Sequence, residues 1–134
     1  MADIRSVTAD FAVAPQLEPE DMADAARRGF TLIINNRPDG EAPGQPTAEA
    51  MRQAAEAAGL AYVHIPVRGG PTPDQIASVL GVVDGAQGPV LAFCRSGTRS
   101  IVTWSLGRAQ GGSAREDLVD LAREAGYDLS GVLL

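Results

Sequence analysis

The chain of 134 residues has one cysteine, one histidine and no lysine. A single cysteine excludes an internal disulfide and a dithiol–disulfide cycle within one chain. With one histidine beside it, the sequence offers no cluster of zinc ligands, so neither a metal nor another cofactor is expected. Positive charge is scarce as well: 11 arginines face 17 acidic residues, for a formal net charge of -6. Nucleic acid and anionic membrane both demand a clustered positive face, and the arginines here are scattered. No apolar stretch is long enough to span a bilayer, and Met1-Ala2-Asp3-Ile4-Arg5 lacks the basic and then apolar order of a signal peptide. A cytoplasmic location is therefore expected. Because every basic residue is arginine and alanine is abundant, a single arginine carries less information than it otherwise would.

What is present fits one domain over residues 1–134, long enough to bury roughly two thirds of its unfolded surface. Phe11 to Ala14 reads as a short strand, paired with Arg5 to Thr8 before it. Pro19 suits a first helical position, Glu20 and Asp21 the positive end of that helix, Arg27 and Arg28 its negative end, and Gly29 its left-handed stop. Phe30 to Asn35 and Ala61 to Pro66 are β-type runs, with a helix from Thr47 to Ala58 between them. Thr72-Pro73-Asp74-Gln75 has the form of a capping box with proline at the first helical position, opening a helix to about Asp84. Val90 to Phe93 is the last strand, and Thr98 to Ala109 the next helix, with Ile101, Val102, Ser105 and Leu106 facing the core. Ser113-Ala114-Arg115-Glu116 reads as a second capping box, opening a helix that ends at Gly126, and Asp128 to Leu134 as a docked cap.

Strands alternating with helices imply right-handed crossovers and an α/β fold, a mainly parallel sheet of about four or five strands flanked by helices. In such a sheet ligands bind beyond the carboxyl ends of the strands. Three loops leave those ends: Asn36 to Gly40, Val67 to Pro71, and Cys94 to Arg99. Together they hold a thiol, several arginines and Asp39.

Phe93-Cys94-Arg95-Ser96-Gly97-Thr98-Arg99-Ser100 carries the sharpest chemical signal. A turn at a helix start gathers unpaired N–H groups and the positive end of the dipole, while Arg95 and Arg99 add fixed charge; all three favour the thiolate over the thiol. Gly97 lets the backbone turn back on itself, and Ser96, Thr98, Arg99 and Ser100 bring donors to a concave nest for an anion. Arg99 adds a bidentate clamp. Arg37 and Arg68 follow strand ends and are candidates to face the same anion. His64 reads as a hydrogen-bonded structural residue, Asn35 and Asn36 as residues satisfying the turn backbone, and Trp104 as packing behind the loop. Asp39, in Pro38-Asp39-Gly40, is the first candidate for a general acid but reads more readily as an ordinary turn residue; Asp74 stands behind it as a first-turn residue.

Cys94-Arg95-Ser96-Gly97-Thr98-Arg99 resembles the active-site loop of rhodanese-type sulfurtransferases, in which a cysteine carries a persulfide sulfur held by loop amides and an arginine. The whole chain, including Asn35 to Glu41, the strand end His64-Ile65-Pro66-Val67 and Cys94 to Ser100, resembles the phosphatase-like domain of bacterial beta-lactamase-hydrolase-like proteins. That resemblance implies a compact fold like the protein tyrosine phosphatases and, in some members, fusion to a metallo-beta-lactamase-type persulfide dioxygenase as partner. Labels in the family are split between phosphatase and sulfur transferase.

The loop departs from the cysteine-phosphatase pattern. Those enzymes place five residues between cysteine and arginine, usually with histidine before the cysteine; here Phe93 precedes Cys94, four residues separate it from Arg99, and Ser100 holds the following position. A tighter loop suits one sulfur atom or a small sulfur oxyanion. Persulfide transfer also needs no dedicated acid, whereas phosphoester cleavage normally does. The expectation is thus a sulfurtransferase carrying a sulfane sulfur on Cys94, with thiosulfate or glutathione persulfide as donors by resemblance. The alternatives are a cysteine-dependent phosphatase of phosphoesters, with Cys94 as nucleophile and Asp39 as acid, and a non-catalytic module that docks an anionic partner.

Overall fold

The computed structural model describes residues 2–134. Its strands are β1 (Arg5–Ser6), β2 (Phe11–Ala14), β3 (Leu32–Asn35), β4 (Ala61–His64) and β5 (Val90–Phe93); its helices are α1 (Asp21–Arg27), α2 (Ala48–Ala57), α3 (Pro73–Gly85), α4 (Thr98–Gln110), α5 (Arg115–Glu124) and α6 (Ser130–Leu133). The strands form one sheet in the order β1-β2-β5-β3-β4. β2, β5, β3 and β4 run parallel, and β1 is antiparallel at the edge.

Period-two alternation divides the core into two layers. Phe11, Val13, Ile34, Val90 and Ala92 face one side, where Val79 of α3, Ile101 and Trp104 of α4, Leu118 of α5 and Leu133 of α6 close over them. Ala12, Ala14, Ile33, Leu91 and Phe93 face the other, covered by Met22 and Ala25 of α1 and Met51 and Ala55 of α2. Runs such as Val90-Leu91-Ala92-Phe93 are apolar throughout because both faces are covered. α3 and α4 approach closely at Gly107, where a Cβ would stand 2.6 Å from Leu80 Cγ. Trp104 packs as expected, its ring stacked on Phe11 at 4.9 Å.

This topology creates a switch point. β3 leads to α2 on one face and its neighbour β5 leads to α4 on the other, so their carboxyl ends diverge and leave a crevice between Asn35 and Phe93.

Two helix starts differ from expectation. Pro19 lies ahead of α1, because Asp21 bonds back to Glu18 through both its backbone and its side chain and makes a separate turn first. Ser113 does not cap α5: its N–H goes to the Arg108 carbonyl to close α4, and Ala114 is the N-cap, with no side-chain bond. The Thr72 box is present, with reciprocal bonds to Gln75. On α4, Ile101 and Ser105 are buried as expected, while Val102 and Leu106 are only partly covered and Trp104 takes the deeper place.

Candidate active site

Cys94 directly follows β5 and is fully buried. The chain then turns through Gly97, whose φ of 91° lies in the left-handed region that favours glycine, and enters α4 at Thr98. This turn folds the Gly97 N–H back onto Cys94 Sγ at 3.1 Å. Ser96 Oγ accepts from Thr98 N at 3.3 Å and donates to Thr98 Oγ1 at 2.9 Å. The thiol thus sits at the positive end of a 13-residue helix with an amide already aimed at its sulfur.

Arg99 turns toward the same edge, and its guanidinium is held from two sides. Nη1 and Nη2 each donate to a Glu41 carboxylate oxygen at 2.8 Å, and Nη1 also reaches the Val67 carbonyl at 2.9 Å. Glu41 in turn accepts from Arg37 Nε at 2.9 Å, while Arg37 Nη1 donates to Gln16 Oε1 at 3.0 Å. One carboxylate therefore fixes two guanidinium groups. The bonds from Arg99 and then Arg37 overcome partial desolvation and hold the Glu41 pKa at about 2, so it stays ionised and cannot donate a proton at neutral pH. Arg99 holds its own proton more firmly than an ordinary arginine, mainly through Glu41, with Cys94 contributing as well.

Behind the loop, buried Asn36 joins four parts of the fold. Its N–H donates to Phe93 O at 2.8 Å, Nδ2 to Ile65 O at 2.9 Å, and Oδ1 accepts from Ser100 Oγ at 2.8 Å, while its carbonyl takes the Val67 N–H at 2.9 Å. This residue does more than satisfy its own turn. It fastens β3 to β5, to the loop after β4 and to α4, and it occupies the hydroxyl of Ser100. Asn35 Oδ1 accepts from Arg37 N, and His64 Nε2 donates to the Arg37 carbonyl at 2.8 Å, so both hold the Arg37 backbone.

The remaining candidates are spread unevenly. Arg95 and Arg68 are exposed, and Arg95 meets the rest of the site through its carbonyl, which accepts from Gln16 N. Asp39 is exposed too, and its Oδ1 accepts from Ala48 N at 2.7 Å, capping the first turn of α2. Asp74 lies in the first turn of α3. A concavity of about 520 Å³ lined by Phe30, Thr31, Gly59 and Gly85 lies at the opposite, amino ends of the strands. The thiol and the arginines lie away from that concavity, beyond the carboxyl ends of the strands. Among the described residues no group of three or more His, Cys, Asp or Glu could hold a metal ion.

Glu41, Gln16 and Tyr127 are the contributors that sequence reasoning did not pick out. Glu41 follows Arg37 by four residues, but in a loop that spacing carries no helical meaning.

The sequence pattern of the family described as "Beta-lactamase hydrolase-like protein, phosphatase-like domain" matches residues 3–111. The chain belongs to this family. The beta-lactamase hydrolase-like protein of Agrobacterium fabrum is 40% identical over 119 residues, and that of Xylella fastidiosa (strain Temecula1) 38% over 121. The match covers 87% and 89% of this chain respectively, and 28% of each relative, so the chain spans little more than a quarter of those longer proteins. A candidate phosphatase from Neisseria meningitidis has a similar crystal structure, with TM-score 0.87 and 31% identity over 96% of this chain and 92% of that one. More distant likenesses, Tk-PTP at TM-score 0.73 and P. aeruginosa TpbA in complex with pTyr at 0.65, share the fold at 20% and 16% identity; they cover 96% of this chain each and 88% and 83% of those chains. The α/β architecture with protein tyrosine phosphatase-like neighbours thus agrees with expectation. None of these relatives is described as a sulfurtransferase, so the family resemblance supports a phosphatase-like domain and not the sulfur-transfer reading put first from sequence. Among the described residues no helix is long and apolar enough to cross a membrane.

Proposed function

We propose that the domain is a cysteine-dependent phosphatase acting on phosphomonoesters whose leaving group departs without strong acid assistance, aryl phosphates above all. The observation that carries this reading is the Gly97 N–H on Cys94 Sγ at a helix amino end, with a fixed Arg99 alongside, in a chain of a phosphatase-like family. The Cys94 thiolate attacks phosphorus in line; the S–P bond forms and the P–O bond breaks, with the aryloxide taking its electron pair. The backbone N–H groups of Arg95, Ser96 and Arg99 receive the equatorial oxygens while that of Gly97 stays on the sulfur, and Arg99 supplies the charged clamp. Water then displaces the thiolate from phosphorus and releases phosphate. Ser96, Thr98, Arg37 and Arg68 line or flank the anion's approach.

Leaving-group preference follows from the carboxylates. Glu41 is held ionised by two arginines and Asp39 is anchored on α2. With Glu41 ionised and Asp39 engaged at the start of α2 through Oδ1, aryl esters, which need the least acid assistance, are the expected substrates. The test is hydrolysis of p-nitrophenyl phosphate by the wild type and by Cys94→Ser: turnover that is abolished in the variant supports the reading, and absence of wild-type turnover overturns it.

Sulfane-sulfur transfer is the second reading, favoured by the four-residue spacing from Cys94 to Arg99 and by its needing no dedicated acid. In it the thiolate attacks the outer sulfur of thiosulfate, an S–S bond forms, and sulfite leaves with the electrons of the broken bond. Intact mass after exposure to thiosulfate distinguishes the two.

A further inference from the structure

The peptide between Ser96 and Gly97 is held at both ends. Its N–H donates to Cys94 Sγ at 3.1 Å, and its C=O accepts from the Tyr127 hydroxyl at 2.8 Å. In a trans peptide these two groups point in opposite directions, so a donor that anchors the oxygen on one side aims the N–H to the other. We propose that Tyr127, which follows α5 and lies beyond the stretch matched to the family, is the positioning residue that locks this peptide and thereby stabilises the Cys94 thiolate.

Several features make the lock firm. Tyr127 is buried, its ring lies 5.2 Å from the Arg5 guanidinium carbon, and Arg5 Nη1 bonds the neighbouring Ala125 carbonyl. The Tyr127 amide is tied to Ala122 O at 2.8 Å, so the hydroxyl has little freedom to leave the loop. Gly97 completes the fit, because a Cβ there would collide with the tyrosine hydroxyl. Burial raises the Tyr127 pKa; Arg5 opposes that effect and the nearby Cys94 adds to it, so the hydroxyl keeps its proton and remains a donor at neutral pH. A hydrogen bond into the carbonyl also polarises the amide and strengthens its N–H as a donor to sulfur. Without the tyrosine hydroxyl the peptide is free to rotate, and its carbonyl oxygen can turn toward the sulfur, where it repels negative charge.

The inference rests on Cys94 being the reactive group, but its readout is ionisation of the thiol and not turnover, so it is tested apart from the choice of substrate. Cys94 is the sole thiol, and thiolate absorbance at 240 nm against pH, with Cys94→Ser as blank, reports it directly. The charged groups around the peptide and thiol are Arg5 with its partner Asp3, Arg95, and Arg99 with Glu41 behind it; all are retained in Tyr127→Phe. That variant keeps the ring against Arg5 and removes only the donor. The midpoint of thiolate formation is expected to move up by about one pH unit, roughly tenfold less thiolate at a fixed pH below it. Leu129→Val, a core truncation in the same segment, controls for lost stability and is expected to leave the midpoint in place. The Gly97 amide resonance gives a second measurement, losing most of its response to Cys94 ionisation in Tyr127→Phe. An unchanged midpoint in Tyr127→Phe, or an equal shift in both variants, overturns the proposal.

Discussion

Replacing Glu41 by glutamine keeps the shape of the side chain and removes the charge that ties Arg37 to Arg99. In the folded protein the Glu41 carboxyl titrates at about 2 against an ordinary 4.5, which bounds the stabilisation at about 3 kcal/mol. The side chains of Glu41 and Arg99 keep 24% and 20% of their exposure, so solvent screening reduces the net loss to about 1–2 kcal/mol. For a chain of this length that is roughly 3–6 °C in melting temperature. The sign with pH follows from the lowered value. The contribution is complete above the unfolded carboxyl's 4.5 and disappears as pH falls toward 2, where the folded carboxyl also takes its proton. Thermal unfolding of wild type and Glu41→Gln at pH 7 should therefore show the full gap, which should close progressively between pH 4.5 and 2. At pH 7 the variant should also lose about tenfold in kcat/KM, because the Arg99 clamp is no longer held in place. Equal melting temperatures at pH 7, or a gap that does not change with pH, would show that Glu41 does not stabilise the fold through its charge.

Further expectations follow from individual contacts. Asp39→Asn retains an oxygen for Ala48 N and should change aryl phosphate turnover by less than about threefold, whereas Asp39→Ala should cost about 1 kcal/mol in urea unfolding as a lost helix cap; a large drop in activity for the asparagine variant would instead mark Asp39 as the acid. Asn36→Ala leaves the Ser100 hydroxyl and the Ile65 carbonyl without partners inside the fold and should cost about 2–4 kcal/mol, with chemical denaturation as the check and a loss under 1 kcal/mol as the contrary result. Gly97→Ala must adopt a positive φ and meet the Tyr127 hydroxyl, and it should lower turnover at least tenfold; activity within a factor of two of wild type would show that the loop tolerates a side chain there.

Particular residues show why some of this was legible in the sequence. The strands could be read because Val90 to Phe93 and Leu32 to Asn35 are short apolar or β-branched runs between turn residues, and Thr72-Pro73-Asp74-Gln75 contains both halves of its cap within four positions. The Cys94 loop was legible for the same reason: glycine, arginine and a helix start all lie within six residues of the thiol. Glu41 and Tyr127 were not, because Arg99 lies 58 residues from Glu41 and Ser96 lies 31 residues from Tyr127, and only the folded sheet brings them together. Ser113 misled because a capping sequence directly after another helix can be used to end that helix instead. The bias toward sulfur came from counting residues in the loop. That count says how tight the turn is, but it does not say how Arg99 is anchored, and the family and structural relatives point toward phosphate.

If Cys94 is the nucleophile, it becomes covalently phosphorylated during turnover. Acid quench of the protein during turnover of p-nitrophenyl phosphate, followed by intact mass and peptide mapping, tests it most directly. One phosphate on Cys94, absent from Cys94→Ser, is the expected result. An unmodified Cys94 under those conditions, together with a single added sulfur after exposure to thiosulfate, would contradict it.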